Sequence, residues 1–368
     1  MTVPRWSYPP ELLEGLARLG ARPESHTRPS VVREFVNDLY RYELRRLRDS
    51  YRGSALDKAE YHARVVALRK HYWVLTLPPK AWGEICRPKD TPLRIALIQQ
   101  SATPDPAINV QRAMDAMRRA AADGAQFVAF AELAFTPFYP QQPPSVDVRT
   151  LAEPVPGPTT EAFAALAREL SMVTVLNVFE RDGDKTYDCS PVIDADGTLL
   201  GKTRMVHITE YPCFHERQYY APGDLGAPVF KTRVGRIGVA ICYDRHFPEY
   251  MRALGIGGAD LVVIPQAGVV DEWPAGFFEG EVCTAAFQNG YFAALCNRVG
   301  AESHLTFAGE SFVCGPDGAV RAQAPRGIDT VLIADVDLSE AEKSHGRRVL
   351  MKDRRPELYA DWVGKSGA

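Results

Sequence analysis

From Leu93 onward the chain alternates short apolar runs with amphipathic stretches, and this alternation restricts the fold more than any other feature of the sequence. Leu93 to Ile98 is an apolar run suited to a buried strand, Ala107 to Ala121 is helix-like, and Phe127 to Ala131 is again apolar. The pattern continues through a helix near Thr159 to Glu169, a strand at Val173 to Val178, and a hairpin turning at Asp194 to Gly197. Further strands are predicted to end at Cys242 and Ile264. They are followed by a helix at Phe277 to Gln288 and strands at Tyr291 to Cys296, Phe307 to Val313 and Thr330 to Ala334. Hairpins among the crossovers point to a layered α/β sandwich rather than an all-parallel barrel.

Ahead of this unit, Val31, Phe35, Leu39, Tyr42 and Leu47 recur at helical spacing among many Arg and Glu, and a second periodic stretch runs from Leu56 to Leu75. Pro78, Pro79, Pro88 and Pro92 interrupt the helical pattern, because proline lacks the N–H and restricts its predecessor. The expected organisation is a helical extension over residues 1–91, a catalytic domain over 92–338, and a C-terminal tail over 339–368 engaged in subunit contacts. A net charge of −3 gives no electrostatic reason to expect nucleic acid or an acidic membrane surface, which leaves small molecules as partners. With no apolar leader pattern at the start and no run long enough to span a bilayer, a cytoplasmic location is expected. The seven cysteines, scattered without a CxxC pair, fit a reduced compartment.

Three segments place a polar or reactive residue where an apolar strand ends, the position at which open α/β sheets bind ligands. In Phe127 to Glu132, reading FVAFAE, a carboxylate follows a buried strand; Glu132 is either a general base or a cap for the next segment. Lys202, within Gly201-Lys-Thr-Arg204, either stabilises an oxyanion or faces solvent. In Arg236 to Glu249, reading RIGVAICYDRHFPE, a strand runs into Cys242 and then into a turn opening a helix. Backbone N–H groups there favour thiolate and can hold an oxyanion. The alternative for Cys242 alone is a small buried hydrophobe. His207, Cys213 and His215 match no usual zinc spacing, and neither metal nor cofactor is expected.

Taken together, FAELAFTPFYP around Glu132, GKTR around Lys202, FHERQYYAPGDLGAPVF around Glu216, AICYDRHFPE around Cys242 and NRVGAE after Cys296 resemble the nitrilase superfamily of carbon–nitrogen hydrolases. The resemblance spans roughly Leu93 to Asp337. It implies an α-β-β-α sandwich, homo-oligomers built from dimers, and a catalytic set of Glu132, Lys202 and Cys242 with Glu216 as a second glutamate. In that scheme Glu132 takes the thiol proton and returns it to the leaving nitrogen, while Lys202 and the Tyr243 N–H hold the oxyanion. The segment around Cys242 is similar to the β-ureidopropionase and N-carbamoyl-amino-acid amidohydrolase branch, which makes an N-carbamoyl amino acid the expected substrate. Arg245 and His246 would then recognise its carboxylate, and Tyr139 would line the pocket. The segment after Glu132, Tyr139-Pro-Gln-Gln-Pro-Pro144, lacks an arginine found in β-ureidopropionases. N-carbamoylputrescine or an ω-amide is the alternative substrate, and a non-catalytic homologue binding protein through its helical extension is the alternative function.

Overall fold

The computed structural model describes residues 6–24, 27–86 and 92–363, and the chain divides into two compact units, residues 1–91 and 92–368. In the first unit, helices Pro10–Arg18, Pro29–Arg52, Lys58–His71 and Pro79–Ile85 enclose Leu12, Leu16, Val36, Tyr72, Val74 and Trp82. The buried stripe of Pro29–Arg52 agrees with the periodicity read from sequence at Leu39 and Leu47, which pack on this core, and departs from it in the first turns and at Tyr42. Val32 and Val36 are buried, whereas Val31, Phe35 and Tyr42 are more than half exposed.

The second unit is built on two facing sheets. The first has seven strands, running Thr330–Val336, Leu93–Gln99, Phe127–Phe130, Val173–Val175, Lys185–Ile193 and Val178–Asp182, with Leu199–Arg204 also paired to Lys185–Ile193. The second has six, running Val320–Gln323, Phe312–Cys314, Phe292–Asn297, Leu261–Gln266, Arg236–Val239 and Val229–Lys231. Leu93–Gln99 and Phe127–Phe130 face Phe292–Asn297 and Leu261–Gln266 across the interior. Helices Pro106–Ala122 and Pro158–Leu170 cover the first sheet, and Pro248–Ile256 and Phe277–Asn289 cover the second. This is the α-β-β-α arrangement, and it explains the continuous apolar strands: a strand with a helix on one face and a sheet on the other has no wet side.

Two strands read as continuous are broken. Val173–Val175 and Val178–Asp182 are separated at Leu176-Asn177, and Thr306–Ala308 and Phe312–Cys314 at Gly309 to Ser311. In the first case the break frees the Asn177 amide to bond side chains instead of a neighbouring strand. Residues 339–350 of the expected tail pack on this same unit: Gly346 lies against the backbone of Phe287 and Gly290, and Arg347 pairs with Asp260 at 3.0 Å. No helix among the described residues is long and apolar enough to cross a membrane.

Candidate active site

The two sheets bring their reactive groups together. From the first sheet, Phe127–Phe130 is wholly buried and delivers Glu132, which has no solvent exposure. The turn that follows is held from two sides. Asn177 Oδ1 accepts from the Leu133 N–H at 2.7 Å, and Leu133 itself sits at φ +44°. The buried Arg298 guanidinium donates to the carbonyls of Glu132 (2.9 Å), Leu133 and Thr136 (3.0 Å) and pairs with Glu302. A planar fork suits this task, because one side chain satisfies several converging carbonyls.

From the second sheet, Arg236–Val239 leads to Cys242 at φ +41°, a left-handed conformation that a non-glycine residue adopts only when its surroundings enforce it. The enforcing contacts are visible. Asp244 accepts from the Val206 N–H (3.1 Å), the His207 N–H (3.0 Å) and His207 Nδ1 (2.7 Å), and His207 stacks on Phe247 with centroids 3.5 Å apart. Arg245 donates to the Cys242 carbonyl at 3.0 Å and to Gln266 Oε1 at 2.6 Å. Cys242 is 6% exposed, whereas Glu132 has no exposure.

Around the thiol stand the carboxyls of Glu132 and Glu216 and the Tyr220 hydroxyl, with Asp188 next to Glu132. Asp188 Oδ1 takes the Asn177 amide at 2.5 Å, and Glu216 Oε2 takes the Thr209 N–H at 3.3 Å. Both oxygens of Glu132, Asp188 Oδ2, Glu216 Oε1 and the Tyr220 hydroxyl are buried with no formed hydrogen bond to the protein. Buried polar atoms normally have partners, so a group of such atoms at one thiol marks a place arranged to meet something else. Glu132 is turned to the Cys242 thiol and to Asp188 within electrostatic reach, although neither contact reaches hydrogen-bond geometry.

Burial pushes the Glu132 carboxyl well above the usual range, and the charges of Asp188 and Glu216 push it further. Glu216 is raised by burial and then by Asp188, against the opposing Thr209 N–H. Burial lifts Asp188 to about 7, with the Asn177 amide pulling the other way. Burial also raises the Cys242 thiol, as do Glu132 and Glu216, while Arg245 and the Ala267 N–H oppose them. The backbone donors expected to favour thiolate are therefore outweighed, and the resting group is a thiol among carboxyls that share protons. The chemistry open to it is concerted: sulfur attacks as Glu132, when ionised, takes the proton.

The expectation for Lys202 does not hold. Cys189 pairs with Arg204 and Ser190 with Thr203 across the hairpin, and the Met205 N–H donates to the Asp188 carbonyl at 3.0 Å. Alternation then puts Thr203 and Met205 on the face of Asp188, and Lys202 and Arg204 on the other. On that far face Lys202 bonds Glu180 and, at 3.3 Å, the Val155 carbonyl. Arg204 also pairs with Glu180 and lies 3.8 Å over the Tyr187 ring. The side chain opposite Asp188 is the buried Met205. A strand's two faces alternate residue by residue, and a lysine three places early sits on the wrong one.

Arg245 is a second correction. It lines a cleft with His246, Pro248 and Glu281 but is only 3% exposed, lies 3.3 Å from Glu281 and stacks 4.8 Å over Phe278. His246 Nδ1 is also bound to Glu281, at 2.7 Å, with its ring edge to Trp273. Tyr139 lines a cleft with Leu133, Thr136, Asn177 and Phe179, and Tyr243 follows the nucleophile with its ring against His246 and Phe247. His215 bonds Glu210 at 3.0 Å. Sequence reasoning passed over Asp188, Asn177, Tyr220 and Arg298. Asp188 carried a signal, an acid inside the apolar strand Lys185–Ile193.

The family model described as Carbon-nitrogen hydrolase matches residues 94–345. An N-carbamoylputrescine amidase of Solanum lycopersicum is 35% identical over 286 residues, covering 74% of this chain and 95% of its own. A carbon–nitrogen hydrolase from Helicobacter pylori G27 superposes with a TM-score of 0.69 at 26% identity, over 75% of this chain and 99% of that one. An amidase from Nesterenkonia sp., in a structure with an acetamide moiety on its active-site cysteine, gives 0.63 at 27% identity, over 75% and 98%. The chain therefore belongs to the carbon–nitrogen hydrolase family of the nitrilase superfamily, as a cysteine amidohydrolase acting on C–N bonds other than peptide bonds.

Proposed function

We propose that Cys242 is the nucleophile and Glu132 the general base in hydrolysis of a small N-carbamoyl amine. The reading rests on one observation, the juxtaposition of a thiol held at positive φ with a buried carboxyl that has no hydrogen-bond partner in the protein. Glu132 takes the thiol proton as sulfur adds to the carbonyl carbon, then returns it to the leaving nitrogen, which departs poorly unless protonated. The Tyr243 N–H, at the start of the turn, receives the oxyanion. Water, deprotonated by Glu132, releases the acyl group from sulfur. Glu216 orients the nitrogen side of the substrate through its free oxygen.

Electrostatics favour an amine-bearing substrate over the N-carbamoyl amino acid expected from sequence. Arg245, the cation assigned to a substrate carboxylate, is already beside Glu281, and the groups facing the thiol are acids. A second carboxylate entering here would meet like charge, whereas an ammonium tail would be welcome. The similarity to an N-carbamoylputrescine amidase supports the same direction.

The test is ammonia release from N-carbamoylputrescine, N-carbamoyl-β-alanine, N-carbamoyl-D- and L-amino acids and simple ω-amides, each with a Cys242→Ala control. Turnover of the amine-bearing compound above the acids, abolished in the control, is expected. Preference for a carboxylate substrate would return the assignment to N-carbamoyl amino acids, and activity surviving without the thiol would overturn the mechanism.

A further inference from the structure

The charge around the thiol suits a different electrophile from a neutral amide. When a thiol adds to an amide, and its proton passes to a base, the carbonyl oxygen becomes an anion that needs a positive partner. Here the positive partners are poorly placed. Lys202 lies on the far face of its strand against Glu180, Met205 occupies the near face opposite Asp188, and Arg245 turns one amino group to Gln266 and the Cys242 carbonyl and lies 3.3 Å from Glu281, its Nε and second amino group forming no hydrogen bond. Beside the thiol instead are Glu132 and Glu216, with Asp188 next to Glu132; Glu132 Oε1 and Oε2, Asp188 Oδ2 and Glu216 Oε1 are buried and make no hydrogen bond to the protein, and the Tyr220 hydroxyl lies near all three.

We propose that, on the same Cys242–Glu132 pair, this enzyme also hydrolyses amidinium and guanidinium groups, held by a cage of Asp188, Glu132 and Glu216. The inference rests on the nucleophile and base assigned above. A planar cation bordered by N–H donors matches carboxylate oxygens in shape and charge, and it relieves the repulsion among three buried acids. Addition of sulfur to such a carbon yields a neutral tetrahedral adduct, so no oxyanion arises and no lysine is needed.

The steps balance without an added reagent. Cys242 gives its proton to Glu132 as the S–C bond forms, and the C=N electron pair moves onto nitrogen. Glu132 returns the proton to one amino group, which leaves as ammonia when the lone pair of the remaining nitrogen re-forms C=N. The resulting S-linked thioimidate cation (isothiouronium for a guanidine) stays between Asp188 and Glu216. Water adds to its carbon, losing a proton to Glu132, and the C–S bond breaks to restore the thiol. An amidine thus becomes an amide and a guanidine becomes a urea, with one water consumed and one ammonium released. The guanidine product is itself a ureido compound, the class assigned above as substrate, so the same site can act on its own product.

Ammonia release by the full chain from acetamidine and propylguanidine is compared with release from acetamide, propylurea and N-carbamoylputrescine. In parallel, acetamidinium is tested for protection of Cys242 against iodoacetamide in the unmutated protein. Turnover and protection are expected. Asp188→Asn should lower kcat/KM for the cations by roughly 10–100-fold more than for the ureas, the worth of one charge-assisted contact. Met205→Lys should move the preference towards the neutral substrates. Ureido turnover with neither amidine turnover nor protection overturns this inference and leaves the proposed function standing. Cation turnover without ureido turnover does the reverse. Failure of every substrate, together with absent protection, removes both, and equal losses on all substrates in Asp188→Asn would remove Asp188 from the cage.

Discussion

Arg298→Met tests how far Glu132 depends on the guanidinium behind it. Arg298 has 1% exposure, donates to the carbonyls of Glu132, Leu133 and Thr136, and pairs with Glu302, whose side chain is 9% exposed. Removing one member of a buried pair costs about 3–5 kcal/mol, because the other charge is stranded. Glu302 keeps its bonds from the Phe138 N–H (2.9 Å) and the Gln141 amide (3.0 Å), which places the ion-pair part near the lower limit. The three carbonyls, two of them wholly buried, add a further part at about 1 kcal/mol for each lost bond. Methionine fills much of the vacated volume against Phe138 and Phe307, so the net loss is about 4 kcal/mol. At roughly 2–4 °C per kcal/mol for a domain of this size, the melting temperature should fall by about 10 °C. The Glu132 turn would also lose its tether, and a shift of about 1 Å in a catalytic group costs on the order of 100-fold in rate. Calorimetry and kcat below the transition, with Arg298→Lys as a variant that keeps charge but loses the fork, measure both. A melting temperature within about 2 °C of the parent and an unchanged kcat would refute the tethering argument.

Lys202→Ala should keep activity within about 3-fold and cost under about 1 kcal/mol, since the ammonium is partly exposed and Arg204 continues to pair with Glu180. A loss beyond about 100-fold would return Lys202 to the reaction. Asp188 is held near 7 in the folded chain, above its unfolded value, so its contribution to stability is full below the unfolded pKa and is lost as pH rises through 7. Asp188→Asn keeps the acceptor for Asn177 and should stabilise the protein in urea at pH 8 but not at pH 4; the opposite ordering would contradict the burial argument. Arg245→Gln leaves Glu281 with His246 as its remaining partner and should destabilise by about 1–3 kcal/mol, with equal rate losses for carboxylate- and amine-bearing substrates. A KM increase confined to the carboxylate substrates would show that Arg245 touches them.

The alternation of strands and helices was legible because burial on both faces writes itself as uninterrupted apolar runs, as in Phe127–Phe130 and Leu261–Gln266. Glu132 and Cys242 were legible because each follows such a run. Lys202 was misread for want of one datum, the register of the hairpin, and a shift of one residue reverses which face a side chain serves. The pairing of Arg245 was not legible because Glu281 lies on a helix 36 residues downstream, and no local pattern announces a pair closed by tertiary packing. Tyr220 and Arg298 gain their meaning only when the two sheets come together. The outward placing of Val31 and Phe35 depends on where the neighbouring helices pack, which helical spacing cannot state.

Glu132 and Asp188 hang from one sheet and Cys242 from the other, so the gap between the layers acts as a ruler for the reaction. A sandwich that breathes by a fraction of an ångström, with its hydrogen-bonded strands intact, already parts sulfur from its base. Activity should fade on warming before either sheet frays, and any compound bridging thiol and carboxyl will act as a rivet through both leaves.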